Sequence, residues 1–204
     1  MERPASVRSV SVPAERLERW LAGFTDRHGG AEAVESPDVV ALTGADGDRA
    51  WIDVPFPPLD GPLVAHVLRP RRIGVLLVRR SGHAVGVFDG NRLVASKVDS
   101  TYVQGTTKAG GWSQQRYARR RANQAGAAFA GAADVATRLL ADERLDALVA
   151  GGDRPAVTAV LADPRLARVA GLLTGPWLEV KDPKLRVLEQ MPAQFRAVRI
   201  HLDP

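Results

Sequence analysis

Leu17, Trp20, Leu21 and Phe24 recur at intervals of three and four residues, and Gly29-Gly30 follows. That spacing predicts an amphipathic helix over Pro13 to Arg27 with one buried face. Val39 to Thr43 and Ala50 to Val54 are short β-rich runs separated by GADGD, a turn composition, so a hairpin is expected there. The PFPPLDGP segment, Pro55 to Pro62, is too proline-rich for the interior of a regular element and reads as a linker. Residues 1–70 are thus expected to form a small α+β unit closed by a Pro-rich linker, with a second domain over 71–204.

From Ile73 the pattern becomes a β-meander. IGVLLVRR, HAVGVFDG and RLVASKVDS are runs of strand length, joined by turn residues at Ser81-Gly82 and Asp89-Gly90-Asn91. Val75, Leu76, Leu77 and Val78 are apolar on consecutive positions, as in a strand covered on both faces. TYVQGTTKAGG lacks apolar periodicity and reads as an exposed loop. Ser113 then caps a long helix running from Gln115 to about Glu143, whose stripe of Ala118, Ala122, Ala125, Phe129, Ala132, Ala136 and Leu139 is narrow and mostly small. Leu145 to Ala150 is a buried strand, Gly151-Gly152 a turn and Asp153 a cap for the next helix; Trp177 to Val180 and Phe195 to Leu202 are the last strand candidates. The expected fold class is α/β: a mixed β-sheet with flanking helices, preceded by the small α+β unit.

Composition narrows the function classes. The 204 residues contain no cysteine, which removes disulfides, thiolate nucleophiles and cysteine-based zinc sites. The first residues offer no signal-peptide apolar region, and no later run approaches a membrane span, so a cytoplasmic location is expected. The net charge is +5 and its placement is uneven. Between Asp99 and Asp134 there is no acidic residue, while Lys108, Arg116, Arg119, Arg120 and Arg121 fall in that window and leave 23 basic and 23 acidic residues elsewhere. Within it, KAGGWSQQRYARRR joins Gly110-Gly111, able to approach another molecule closely, to arginines at the start of a helix. Arg116, Arg119 and Arg120 have i, i+3 and i+4 spacing at the end of the helix where the dipole disfavours cations, so a compensating polyanion, RNA above all, is expected.

The succession of meander, glycine loop, Arg-led helix, strand and glycine turn resembles the middle domain of eukaryotic and archaeal class 1 release factors, a ribonuclease-H-like architecture. It is more closely similar to the Vms-type release-factor-like peptidyl-tRNA hydrolases in their actinobacterial form. Arg116-Tyr117-Ala118-Arg119 matches the Arg-aromatic-Ala-Arg run of release factors, and Gly110-Gly111 followed by Trp112, Ser113 and Gln114 matches the Gly-x-x-Gln form of the Vms-type family. The resemblance implies a catalytic role for Gln114 with Gly110 and Gly111, Gln115 being the alternative glutamine. RNA contacts then fall to Lys108, Trp112, Ser113, Gln115, Arg116, Arg119, Arg120 and Arg121. It implies codon-independent release of nascent chains from stalled large ribosomal subunits, with rRNA and peptidyl-tRNA as partners, no DNA or membrane partner, a monomeric state and no cofactor. No separate region is long enough for the codon-reading and partner-binding domains of a full release factor.

Blander readings exist for each feature. A Gly-Gly pair before a helix is most often a turn, an Arg-rich helix start is often a solvated face, and Trp112 could anchor in a pocket instead of stacking on a base. Gly151-Gly152-Asp153 lacks the Lys-Ser/Thr of a phosphate loop and reads as a structural turn. His28, His66, His83 and His201 show no ligand spacing, so no metal is expected. Asp89 and Asp99 alone are thin support for a metal-dependent nuclease. The main alternative is a non-catalytic ribosome-binding factor occupying the peptidyl-transferase centre, which the insertion of Trp112 and Ser113 before Gln114 keeps open.

Overall fold

The computed structural model describes residues 8–100 and 113–203, with the side chains of 113–125 outside the description. In chain order these residues form β1 (Arg8–Val12), α1 (Leu17–Arg27), β2 (Ala31–Glu35), β3 (Val39–Gly44), β4 (Arg49–Asp53), α2 (Leu63–Leu68), β5 (Arg72–Arg79), β6 (Gly82–Asp89) and β7 (Arg92–Ser100). There follow α3 (Ser113–Leu140), β8 (Ala147–Gly152), α4 (Arg154–Leu161), α5 (Ala167–Ala170), α6 (Leu185–Glu189), α7 (Pro192–Phe195) and β9 (Val198–Leu202). Short 3-10 turns precede α1 and α5. Among the described residues no helix is long and apolar enough to cross a membrane.

The chain forms two compact units, one of residues 1–70 with 192–204 and one of 71–191. The first holds an antiparallel sheet of order β1-β9-β4-β3-β2. Its core gathers Leu17 and Phe24 of α1, Val40 and Leu42, Ala50 and Ile52, Leu63 and Val67 of α2, and Val198 and Ile200 of β9. Alternation explains the membership, because residues two apart on a strand share a face. The Phe195 to Leu202 segment therefore differs from its expected place: its strand lies between β1 and β4, where the inward Val198 and Ile200 complete this core. Two edge strands, β1 and β2, were not anticipated. Edge strands buried on few positions, RSVSV and AEAVE, leave almost no apolar signature.

The PFPPLDGP segment is built into this unit and is no free linker. Leu59 N–H donates to the Pro37 carbonyl at 2.7 Å and Asp60 N–H to His66 Nδ1 at 3.1 Å. With Nδ1 accepting, His66 carries its proton on Nε2 and donates it to the Pro55 carbonyl at 2.8 Å. One buried imidazole thus ties both ends of a proline-rich stretch that cannot make ladder bonds of its own.

The second unit is a mixed sheet of order β7-β6-β5-β8, antiparallel across the meander and parallel between β5 and β8. The consecutive apolar residues of β5 are buried on both faces, as expected: Leu76 and Val78 join the core under α3 and α4, while Val75 pairs with Gly86, against which Leu188 of α6 packs. Each such fully buried Leu contributes roughly 2 kcal/mol by removal of apolar surface from water. Trp177 to Val180 is not a ladder strand. It touches β8 through one parallel bridge, with Leu178 N–H donating to the Ala150 carbonyl at 2.9 Å and Gly152 N–H to the Leu178 carbonyl at 3.2 Å. Asp153 stands at the α4 N-cap without a side-chain capping bond.

Candidate functional site

The expected site straddles the start of α3. Lys108, Gly110, Gly111 and Trp112 lie outside the described residues. Ser113, Gln114 and Gln115 occupy the first turn of α3, and Arg116, Arg119, Arg120 and Arg121 the next two. The helix therefore begins at Ser113 itself, which puts Gln114 on helix backbone. Amide N–H groups in a first helical turn have no acceptor within the helix and remain available to an anion. The 28 residues of α3 extend about 42 Å at 1.5 Å per residue, against about 26 Å for the eight-residue β5. Gly126 and Ala127 are exposed, and the packing residues begin at Phe129, followed by buried Ala132, Ala133, Val135, Ala136 and Leu140. So the small-residue stripe is a core face over its second half, which is the half that covers the sheet.

β7 ends at Ser100, the last residue described before Ser113, and pairs with β6 so that Ser100 opposes Gly82 and Asp99 opposes His83. Gly82 has φ of +146°, and a Cβ there would collide with the Asp99 carbonyl, so only glycine lets β7 lie this close as it leaves for the loop. His83 is buried beside it, and among the described residues its Nε2 finds no hydrogen-bond partner. Burial holds its pKa below the ordinary histidine value; nearby Asp99 acts to raise it and Lys97 to lower it. The end of β7 is thus held against β6 by close backbone packing at Gly82.

Residues 71–201, more than half of the chain, match the family model described as Actinobacteria/chloroflexi VLRF1 release factor. The chain belongs to that family. The match takes in the whole meander, α3, β8 and the helices after it, and runs on to β9. No curated protein matches. Among solved structures, the crystal structure of the archaeal translation termination factor aRF1 is similar at 16% identity and a TM-score of 0.46, covering 92% of this chain and 66% of that one. A second, described as an archaeal protein, aligns at 16% identity and a TM-score of 0.40 with the same coverages. The chain thus spans just under two thirds of the length of these structures.

Other candidate chemistry from the sequence separates in space. Asp89 pairs in register with Arg92 at one end of β6 and Asp99 with His83 at the other, so the two carboxylates of the nuclease reading stand at opposite ends of the sheet. Gly151 and Gly152 are packing positions. A Cβ on Gly151 would lie 2.6 Å from that of Leu178, and Gly152, at φ of +93°, faces the Val78 carbonyl. One convergence was not legible in sequence spacing: His28, Asp46 and Asp48 bring a ligand atom each within 4.8 Å of the others. His28 Nδ1 lies 2.8 Å from Asp46 Oδ2, and Asp48 N–H donates to Asp46 Oδ1 at 3.1 Å. The bond from His28, first, and that from Asp48 hold the Asp46 carboxyl below its usual range. These are the contacts of the GADGD hairpin turn and its neighbouring helix end, which account for the cluster without an ion.

Proposed function

We propose that the chain is a codon-independent peptidyl-tRNA hydrolase that releases nascent chains from stalled large ribosomal subunits through its Gly-x-x-Gln segment. The reading is carried by one observation: Gln114 stands in the first turn of a helix that continues as Arg116-Tyr117-Ala118-Arg119, in a chain of a release factor family. In the proposed reaction a water oxygen attacks the ester carbonyl carbon, the bond to the terminal ribose oxygen of the tRNA breaks, and that oxygen leaves as a hydroxyl. The peptide departs as a carboxylic acid. Gln114 does not titrate, so its part is to orient the water through its amide, while first-turn backbone N–H groups offer donors to the developing oxyanion. Gly110 and Gly111 give the backbone close access to the peptidyl-transferase centre, where rRNA supplies the remaining walls.

Lys108, Arg116, Arg119, Arg120 and Arg121 neutralise RNA phosphates, Ser113 and Gln115 add polar contacts, and Trp112 stacks on a base. The partners are rRNA of the large subunit and peptidyl-tRNA, without DNA, membrane or cofactor, and the protein acts as a cytoplasmic monomer. The test is peptide release from isolated large subunits carrying peptidyl-tRNA, comparing the native chain with Gln114→Ala and Gln115→Ala. Loss of release in Gln114→Ala alone supports the assignment, and loss in Gln115→Ala alone moves it by one residue. The insertion of Trp112 and Ser113 between the glycines and Gln114 favours a second reading, a non-catalytic factor that occupies the same centre. Native protein that binds the subunit and frees no peptide would establish that reading instead.

A further inference from the structure

The end of the second sheet at which β7 finishes gathers cations that the sequence scatters. β5, β7 and β8 all finish at this end, and the turn from β5 to β6 lies here too. Arg79, the last residue of β5, and Arg80, in that turn, are both exposed. The Arg79 side chain runs over the end of β8, its Cδ 3.0 Å from where a Cβ of Gly152 would stand. Trp177 Nε1 donates to the Gly152 carbonyl at 3.2 Å, and the Arg154 guanidinium lies over the Trp177 ring at 4.3 Å from its centroid. Lys181 is exposed four residues further on, next to Asp182, whose carboxylate accepts from Ser81 Oγ at 3.3 Å.

Pairing distinguishes these groups. Lys97 and Lys184 at this end are held by Asp99 and Asp182. Among the described residues, no carboxylate bridges Arg79, Arg80, Arg154 or Lys181, although Asp153 and Glu179 share the same end. At the opposite end the arginines are occupied: Arg72 by Glu143, Arg92 by Asp89, Arg165 by Asp163 and Asp134, and Arg168 by the carbonyls of Leu140, Ala141 and Glu143. Arg144 there has no such bridge, but it is flanked in the chain by Asp142, Glu143 and Asp146.

We propose that Arg79, Arg80, Arg154 on its Trp177 platform, and Lys181 form a second RNA-contacting surface, at the end of the sheet where β7 finishes and distinct from the cations of α3. Arg79, Arg80 and Lys181 meet backbone phosphates. Arg154, seated over the Trp177 ring, presents the other side of its guanidinium to an unpaired base, a mode of RNA recognition open to arginine and closed to lysine. RNA is favoured over a protein partner because this end joins cations without carboxylate partners to a stacking plane, a combination suited to phosphates and unpaired bases together. The surface rests on the ribosomal reading above only for which RNA it meets.

The test measures binding of the full chain to purified large ribosomal subunits across a salt series. Removing one phosphate-binding cation lowers the slope of log affinity against log salt by about 0.7 to 0.9. The variant with Arg79→Ala and Arg80→Ala is expected to lose about twice that, and Lys181→Ala one such step, while Arg144→Ala leaves the slope unchanged. Arg154→Lys keeps the slope and loses about tenfold in affinity, within the range for stacking on a base. Thermal melting of each variant verifies that the sheet is intact. Slopes and affinities equal to those of the native chain in all four variants would overturn the surface, as would an equal loss in Arg144→Ala. A failure of the hydrolase reading appears as absent peptide release with the salt slopes still lowered as expected, whereas a failure of this surface leaves the slopes at native values, so the two give different results.

Discussion

The two ends of the four-stranded sheet carry arginines in different states. At the end where α3 meets β8, Arg72 and Arg165 hold carboxylates, and Arg168 donates to three carbonyls at and just after the α3 terminus, those of Leu140, Ala141 and Glu143. Those cations close the fold. At the loop end, Arg79, Arg80 and Arg154 bridge no carboxylate among the described residues. A cation that bridges a carboxylate inside the molecule has little charge left for a ligand, and one without such a bridge keeps its charge for an anion. The difference separates residues that hold the sheet from residues that use it.

The comparison breaks most visibly at Gly152, where the loop end meets the core. Gly152→Ala combines a left-handed backbone with a Cβ against the Val78 carbonyl and is expected to cost about 3 kcal/mol, read by urea denaturation. A loss below ~1 kcal/mol would show that β8 moves freely away from β5. Arg72→Ala and Arg79→Ala sharpen the contrast directly. The first is expected to lower stability by about 1 kcal/mol through its half-buried partner Glu143, with unchanged binding to ribosomal subunits. The second is expected to leave stability within about 0.5 kcal/mol and to weaken binding. Exchange of those two outcomes would reverse the assignment of the ends.

Titration gives smaller effects. His83 is the one histidine in residues 71–191, and burial holds its pKa below the ordinary value. Its contribution to stability is therefore complete above the ordinary histidine range and falls on acidification, because the unfolded chain takes up the proton first. Melting of the second unit should decline between pH 7 and 5, and His83→Leu should flatten that decline. At the other end, Arg165 holds the Asp163 carboxyl down at about 2, first through its side-chain hydrogen bonds. That contribution is present at neutral pH and is lost only as pH falls from the ordinary carboxylate range through about 2. An NMR titration should find this midpoint and its return to the ordinary range in Arg165→Ala.

Legibility in the sequence followed burial. The meander, α3 and the strand after it were readable because consecutive or regularly spaced apolar residues face a continuous core, as at Val75 to Val78 and at Ala132 to Leu140. β1 and β2 were not, since edge strands with mostly exposed side chains carry no such pattern. The final strand was recognised as a strand and assigned to the other sheet, because Val198 and Ile200 alternate equally well in either; what decides is pairing with β1 and β4, which no local pattern encodes. At the candidate site, the cations of α3 stood out by the absence of acids around them. Arg79 and Arg154 did not, being 75 residues apart in the chain and joined only by the parallel pairing of β5 with β8.

The hydrolytic role of Gln114 is read by single-turnover peptide release from large subunits saturated with protein. Saturation removes differences in binding and leaves the hydrolytic step. Release by the native chain is expected, with a fall of about 100-fold or more in Gln114→Ala, the scale on which loss of one oxyanion-stabilising or water-orienting group is felt. Equal rates for the two proteins, or no release by either, would contradict it.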